Sequence, residues 1–131
     1  MAPRVEEAAQ GTVSVLVRHA SAGDRSTWDG DDRLRPLDKR GRKQAESLVE
    51  LLLPLGVSRV VSSPYVRCVE TVEPLAAALG VEVELDDRLA EGAGRAAIEL
   101  LEEDGVAACT HGDVVDALLG RGLKKAEFAV F

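Results

Sequence analysis

Aromatic side chains are nearly absent from this chain. Tryptophan and tyrosine occur once each and phenylalanine twice, together 3% of the residues. A core must therefore be built from Val, Leu and Ala. Cysteine occurs only at Cys68 and Cys109, too few for a disulfide framework. Both sit among apolar neighbours and read as small buried hydrophobes. No apolar run approaches the roughly 20 residues that a bilayer span needs. The first ten residues, MAPRVEEAAQ, are acidic and lack the apolar centre of a signal peptide. A soluble cytoplasmic protein without membrane contact is the expectation. Basic residues are outnumbered, 16 against 23 acidic, for a formal charge of -7. That balance disfavours a general nucleic-acid role, because phosphate backbones attract basic surfaces. Histidine is scarce as well, with 2 in all, so where each one falls carries information.

What is present fits one domain. The chain has 131 residues, 46% of them apolar, enough for a real core. Residues 1–11 read as a loose lead-in and residues 12–131 as a single domain. Val13 to Val17 is a near-continuous apolar run, as in a strand buried on both faces. ASAGDRSTWDGDDRLRPL follows as a long loop, and such loops in compact domains are often functional. Asp38 is placed to cap a helix from Lys39 to Leu53 with apolar residues at helical spacing. SRVVSS predicts a strand, and Pro64 suits the first turn of the next helix. Pro74 is expected to kink or break that helix, and Gly80 to end it. A third strand is expected around Val81 to Leu85. GRAAIELLEED predicts a short helix, VAACT a strand, and HGDVVDALLG a helix opening at His111 or Gly112. The tail KKAEFAVF is expected to add an edge strand. This alternation predicts a three-layer α/β/α sandwich around a mostly parallel sheet.

In such sheets ligands bind beyond the carboxyl ends of the strands. The first strand ends in Arg18 and His19. The second ends in Ser62 and Ser63, with Arg67 one turn into the following helix. The third leads to Asp86, Asp87, Arg88 and Glu91, and the fourth ends in Thr110 and His111. Both histidines thus map to one edge, joined by two arginines. Arginine forks donate in planar pairs to phosphate oxygens. Helix N-termini add backbone donors. A neutral imidazole can attack phosphorus, and a second can stabilise the transferring oxygens. No cluster of Asp, Glu, His or Cys suggests a metal cage, so neither a metal nor another cofactor is expected. Ser62 and Ser63 read as caps, and Asp24, Arg25 and Thr27 as ordinary loop residues before substrate contacts. Trp28 could stack on a base or anchor the loop.

The blocks LVRHA, DRLRPLDKRGRKQAESL, SSPYVRCVET and THGD, in that order, resemble the histidine phosphatase (phosphoglycerate mutase-like) superfamily. The similarity is to its small bacterial branch of SixA-like phosphohistidine phosphatases, and to the phosphatase-like domain attached to some MutT-type Nudix hydrolases. It covers about residues 12 to 119. The resemblance implies that His19 is the nucleophile, that Arg18 and Arg67 clamp the phosphoryl oxygens, and that His111 is the second pocket histidine. It also implies that no metal is needed. Glu91 resembles the late general-acid position of larger members. An N–P bond to imidazole needs less protonation help than an ester, so Glu91 in the pocket would favour ester substrates.

These residues lead to a metal-independent phosphatase. A phosphohistidine on a protein is the first substrate expected, since the loops are too short to build a deep lid. A nucleotide or another small phosphate is the alternative. From another class, a phosphate-binding module without turnover also fits the fold. The sequence leaves the oligomeric state open.

Overall fold

The apolar runs become strands. The computed structural model describes residues 13–131, so the lead-in expected over residues 1–11 lies outside the described residues. Strands β1 (Val15–Arg18), β2 (Arg59–Ser62), β3 (Val83–Leu85), β4 (Val106–Thr110) and β5 (Phe128–Val130) form one sheet in the order β3-β2-β4-β1-β5. Each neighbouring pair is parallel except β1 with β5, where the tail adds an antiparallel edge. Helices α1 (Lys39–Leu52), α2 (Val66–Leu79) and α3 (Gly112–Leu119) flank it.

Alternation along the strands splits the core into two apolar layers. Val15, Val17, Val60, Ala107 and Cys109 pack with Leu48 and Leu52 of α1 and with Val72 and Leu75 of α2. Leu16, Val61, Val106 and Ala108 pack on the opposite side with Leu89, Leu100 and Leu101, and with Val114, Val115 and Leu118 of α3. Each fully buried Val or Leu contributes about 1.5–3 kcal/mol. A strand covered on both faces has to be apolar at every position, which is what the runs in the sequence show. The result is the three-layer α/β/α arrangement read from the sequence.

Three local expectations need correction. GRAAIELLEED is not an α-helix. Its amide groups bond three residues back (Ile98 to Arg95, Leu100 to Ala97, Leu101 to Ile98), ending in a 3-10 turn over Leu100–Glu102. Buried Ala97 and Leu100 are three residues apart, matching the 3-10 period, and so short a segment follows its packing rather than its propensity. Helix α2 begins at Val66 rather than Pro64, because the Ser63 hydroxyl accepts the Tyr65 amide at 3.2 Å and holds Pro64 in a turn. Pro74 does not break α2, which runs on to Leu79. Pro74 lies on the half-exposed side, so the bond it removes is lost near solvent. Buried Val72, Leu75 and Ala76 hold the other side against the sheet.

The register levels the strand ends that carry the polar residues. Arg18 pairs with Thr110 and Ser62 with Cys109. The chain from residue 20 to 38 is then fastened to the helices. Ala20 donates to the Thr71 hydroxyl at 2.9 Å, Ser21 to the Gln44 amide oxygen at 2.9 Å, and Leu37 to a Glu70 oxygen at 2.9 Å. Asp38 caps α1 as expected, accepting the Gly41 amide at 2.8 Å, while its other oxygen accepts from Ser21 and Gly23. Gly41 permits this contact: a Cβ there would lie 1.9 Å from the Ser21 carbonyl oxygen. Gly→Ala in an open helix stabilises by about 0.5–1 kcal/mol. Here Gly41→Ala is expected to destabilise by roughly 1–3 kcal/mol in urea unfolding. A midpoint that stays or rises would show that Ser21 does not lie against α1.

Candidate active site

Strand β1 ends by delivering Arg18 and then His19, whose amide continues the ladder by donating to the Thr110 carbonyl at 3.0 Å. The His19 side chain is 7% exposed. Its Nδ1 lies 2.8 Å from the Ala20 carbonyl oxygen, which can only accept. Nδ1 therefore carries the hydrogen, and Nε2 presents its lone pair. Burial lowers the His19 pKa from 6.5 to about 3; the Ala20 hydrogen bond opposes this, and the charges of His111, Arg67 and Arg18 add to the lowering. At neutral pH the ring is an uncharged nucleophile.

His111 enters from the end of β4 and is 1% exposed. Its ring centroid is 5.6 Å from that of His19. The Ser63 hydroxyl meets its Nε2 at 2.9 Å, the Tyr65 ring packs edge-on at 4.5 Å, and Cys68 Sγ lies 3.6 Å from Nε2. Both cysteines are buried and free, as the sequence suggests.

Arg67 is fully buried at 0% exposure. Its guanidinium lies 5.0 Å above the Tyr65 ring. One terminal nitrogen donates to the Asp32 carbonyl at 2.9 Å and the other to the Asp32 carboxylate at 3.1 Å. Arg18 is half-buried, donates one terminal nitrogen to the Leu123 carbonyl at 2.8 Å, and lies so close to Gly112 that a Cβ there would come within 3.0 Å of its guanidinium. Among the described residues, the buried side-chain nitrogens and oxygens without a partner are Arg18 Nε and Arg67 Nε. A buried donor left unpaired costs roughly 1–3 kcal/mol, so these two nitrogens are the donors that the packed site leaves unmatched.

Glu91 reaches the same place from the loop after β3. One carboxylate oxygen accepts from Arg25 at 2.8 Å, and the other lies 3.9 Å from Arg67. Every site residue proposed from the sequence (Arg18, His19, Arg67, Glu91 and His111) thus comes to one edge of the sheet. Others were not legible there. Asp32 binds Arg67, Arg35 and Arg25 together. Burial opposes its ionisation, but the Arg35 hydrogen bond and the charges of Arg67, Arg35 and Arg25 prevail and hold its carboxyl below the usual range. Arg35, 6% exposed, also donates to the Ala22 carbonyl at 2.6 Å. Ser63 does more than cap a turn, because it positions His111. Thr71 links the Ala20 amide to the Arg67 carbonyl, to which it donates at 2.7 Å. No sequence pattern flags these roles, which arise from contacts between distant segments. Asp32 alone had a cue, as one carboxylate in an Arg-rich loop.

Arg18, His19, Arg25, Arg35 and Lys125 line a cavity of about 400 Å³ with Gly23 and Asp24. In a chain of net charge -7, this opening gathers cations. It suits a small polyanion whose oxygens meet guanidinium donors. Among the described residues, no three His, Cys, Asp or Glu side chains come together as a metal cage, and no helix is long and apolar enough to cross a membrane.

Comparisons with known proteins agree with this chemistry. The family model for the histidine phosphatase superfamily (branch 1) matches residues 14–97. The chain belongs to the histidine phosphatase superfamily. That membership puts it among enzymes named phosphatases and mutases. The matched stretch of the chain carries Arg18, His19, Arg67 and Glu91, whereas His111 lies beyond it. A protein named 8-oxo-(d)GTP phosphatase from Mycolicibacterium smegmatis is 40% identical over 114 residues, covering 80% of this chain and 35% of the relative. The chain spans about a third of the length of the curated relatives it matches. Among solved structures, a SixA structure from Agrobacterium tumefaciens superposes with TM-score 0.72 at 22% identity, covering 92% of this chain and 90% of the other. A mycobacterial glucosyl-3-phosphoglycerate phosphatase gives TM-score 0.72 at 18% identity, with coverages of 91% and 89%. These likenesses concern the fold.

The buried, neutral His19 makes stability depend on pH. Folding depresses its pKa from 6.5 to about 3, so the unfolded chain binds the proton more readily across that interval. Its contribution is complete above about 6.5 and is lost as pH falls towards about 3. The His19→Asn variant is expected to lose stability less steeply than wild type over this window, in urea unfolding at successive pH values. Equal slopes would contradict a buried neutral His19.

Proposed function

We propose that this histidine phosphatase hydrolyses small-molecule phosphate esters through a phosphohistidine on His19, without a metal. The observation that carries the reading is the pair of buried, unpartnered Nε groups of Arg18 and Arg67 beside an imidazole held neutral. In the first step, His19 Nε2 attacks phosphorus and the bond to the leaving oxygen breaks. Arg18, Arg67 and His111 hold the equatorial oxygens. Glu91 gives its proton to the leaving oxygen. Water then attacks the phosphohistidine and gives a proton to Glu91, the N–P bond breaks, and inorganic phosphate and the free imidazole return.

The substrate class rests on Glu91. The short loops read from the sequence favour a protein phosphohistidine, whose leaving group needs little protonation. A carboxylate 3.9 Å from Arg67 favours an ester, whose leaving oxygen does. Arg25 binds Glu91 from a side chain that is 58% exposed, and it can exchange that contact for an arriving phosphate, which frees the Glu91 carboxyl to meet the leaving oxygen. The relative named 8-oxo-(d)GTP phosphatase supports a small-molecule substrate.

The test is a panel of ribose 5-phosphate, nucleoside monophosphates and a phosphohistidine peptide. His19→Ala is expected to lose at least about 1,000-fold in kcat on all of them. Glu91→Gln is expected to lose about 100-fold on esters and little on the peptide. Full activity in His19→Ala would overturn the mechanism. Equal losses in Glu91→Gln across the panel would remove its role as acid. Tight phosphate binding with no turnover would favour a phosphate-binding module instead.

A further inference from the structure

The only tryptophan of the chain stands in the loop after β1, 38% exposed. Its ring is fastened at the indole nitrogen while the residue stays partly open to solvent. The indole N–H donates to the Asp31 carbonyl at 2.9 Å, and the backbone N–H of Trp28 donates to Arg25 at 3.3 Å. On either side lie two 3-10 turns, Arg25–Thr27 and Asp32–Leu34, each capped by an aspartate side chain. Gly30, at φ 120, adopts a backbone conformation that other residues rarely reach and lets the chain turn beside the indole nitrogen. A ring held this way loses little freedom when something packs on it.

Trp28 lines a groove of about 260 Å³ together with Ala22, Pro36 and Leu37. The groove is continuous with the cavity that holds His19, since Gly23, Asp24 and Arg35 line both. One end of the combined opening therefore gathers cations, and the other offers the apolar surfaces of Ala22, Trp28, Pro36 and Leu37 beside Thr27 and Asp38. The carboxylate of Asp38, at the groove wall, is already engaged by Ser21, Gly23 and Gly41. Asp24 spends one oxygen on Ser26, and among the described residues the other has no hydrogen-bond partner, so it can accept from a ring N–H.

We infer that this groove is a base-stacking subsite, in which Trp28 receives the planar heteroaromatic ring of a nucleotide whose phosphate lies at His19. The inference rests on the reading of His19 as the phosphoryl site. A sugar phosphate fits less well. Its sugar is joined to the phosphate through an ester oxygen, with one CH2 between in ribose 5-phosphate, so it stays near the cationic cavity and brings no aromatic face to Trp28. A nucleotide carries a ribose as spacer and a ring with π faces, which stack on an indole whatever the base.

Because Trp28 is the sole tryptophan, its fluorescence reports on the groove directly. Titrating wild-type protein with guanosine and adenosine monophosphates is expected to quench the emission saturably, whereas inorganic phosphate and ribose 5-phosphate leave it unchanged. In turnover, Trp28→Ala is expected to raise KM for both nucleotides roughly tenfold, with kcat and the kinetics on ribose 5-phosphate kept. Trp28→Phe should restore most of the loss. No quenching by nucleotides, or equal losses on nucleotides and ribose 5-phosphate, overturns the subsite. Ribose 5-phosphate hydrolysis with neither quenching nor nucleotide preference sinks the subsite and leaves the phosphatase reading standing. Saturable quenching without hydrolysis of any phosphate does the reverse.

Discussion

Arg67 carries its charge where water does not reach it, and Asp32 makes that position tolerable. A guanidinium with 1% of its side chain exposed needs an anion and fixed acceptors. Asp32 supplies its carboxylate and its own carbonyl, and the same carboxylate binds Arg35 and Arg25. One loop residue thereby gathers three cations around a neutral imidazole. Breaking a buried pair by removing one partner costs about 3–5 kcal/mol; Asp32 is 30% exposed, so solvent softens that figure here. The pairing still decides which Arg67 donor points onward, because both terminal nitrogens are taken while Nε is not.

The fold turns this local balance into a rigid arrangement. Central strands apolar on both faces cannot shift without exposing one layer or the other. Their register therefore fixes where Arg18, His19 and His111 emerge. The Thr71 hydroxyl then joins the turn after β1 to the first turn of α2, so His19 and Arg67 are held relative to each other. Gly112 lets the Arg18 guanidinium lie against the start of α3. Reactive groups held by packed elements need little reorganisation when charge develops.

The strand ends were legible because burial and chemistry conflict there. Apolar runs that stop at Arg18–His19 and Thr110–His111 leave a polar pair that core packing does not explain. Arg67 could be read one turn after β2 for the same reason. Asp32, Arg35, Ser63 and Thr71 were not legible. Each acts on a partner 13 to 51 residues away, and their types are ordinary loop and helix residues. The 3-10 string near Ala97 and the unbroken α2 at Pro74 were missed because tertiary packing overrides local propensity in short segments. Trp28 could be read two ways in the sequence; its bond to the Asp31 carbonyl shows the anchoring, while the continuity of its groove with the cation-lined cavity supports the stacking proposal.

The central claim is that His19 carries the phosphoryl group between substrate and water. Its most direct measurement is mass spectrometry of protein quenched in alkali during turnover of an isotopically labelled phosphate ester, with the modified residue mapped by fragmentation. The account predicts labelled phosphate on His19, appearing and decaying as fast as turnover and absent from His19→Ala. Turnover with no labelled protein at any time, or with the label on another residue, would contradict it.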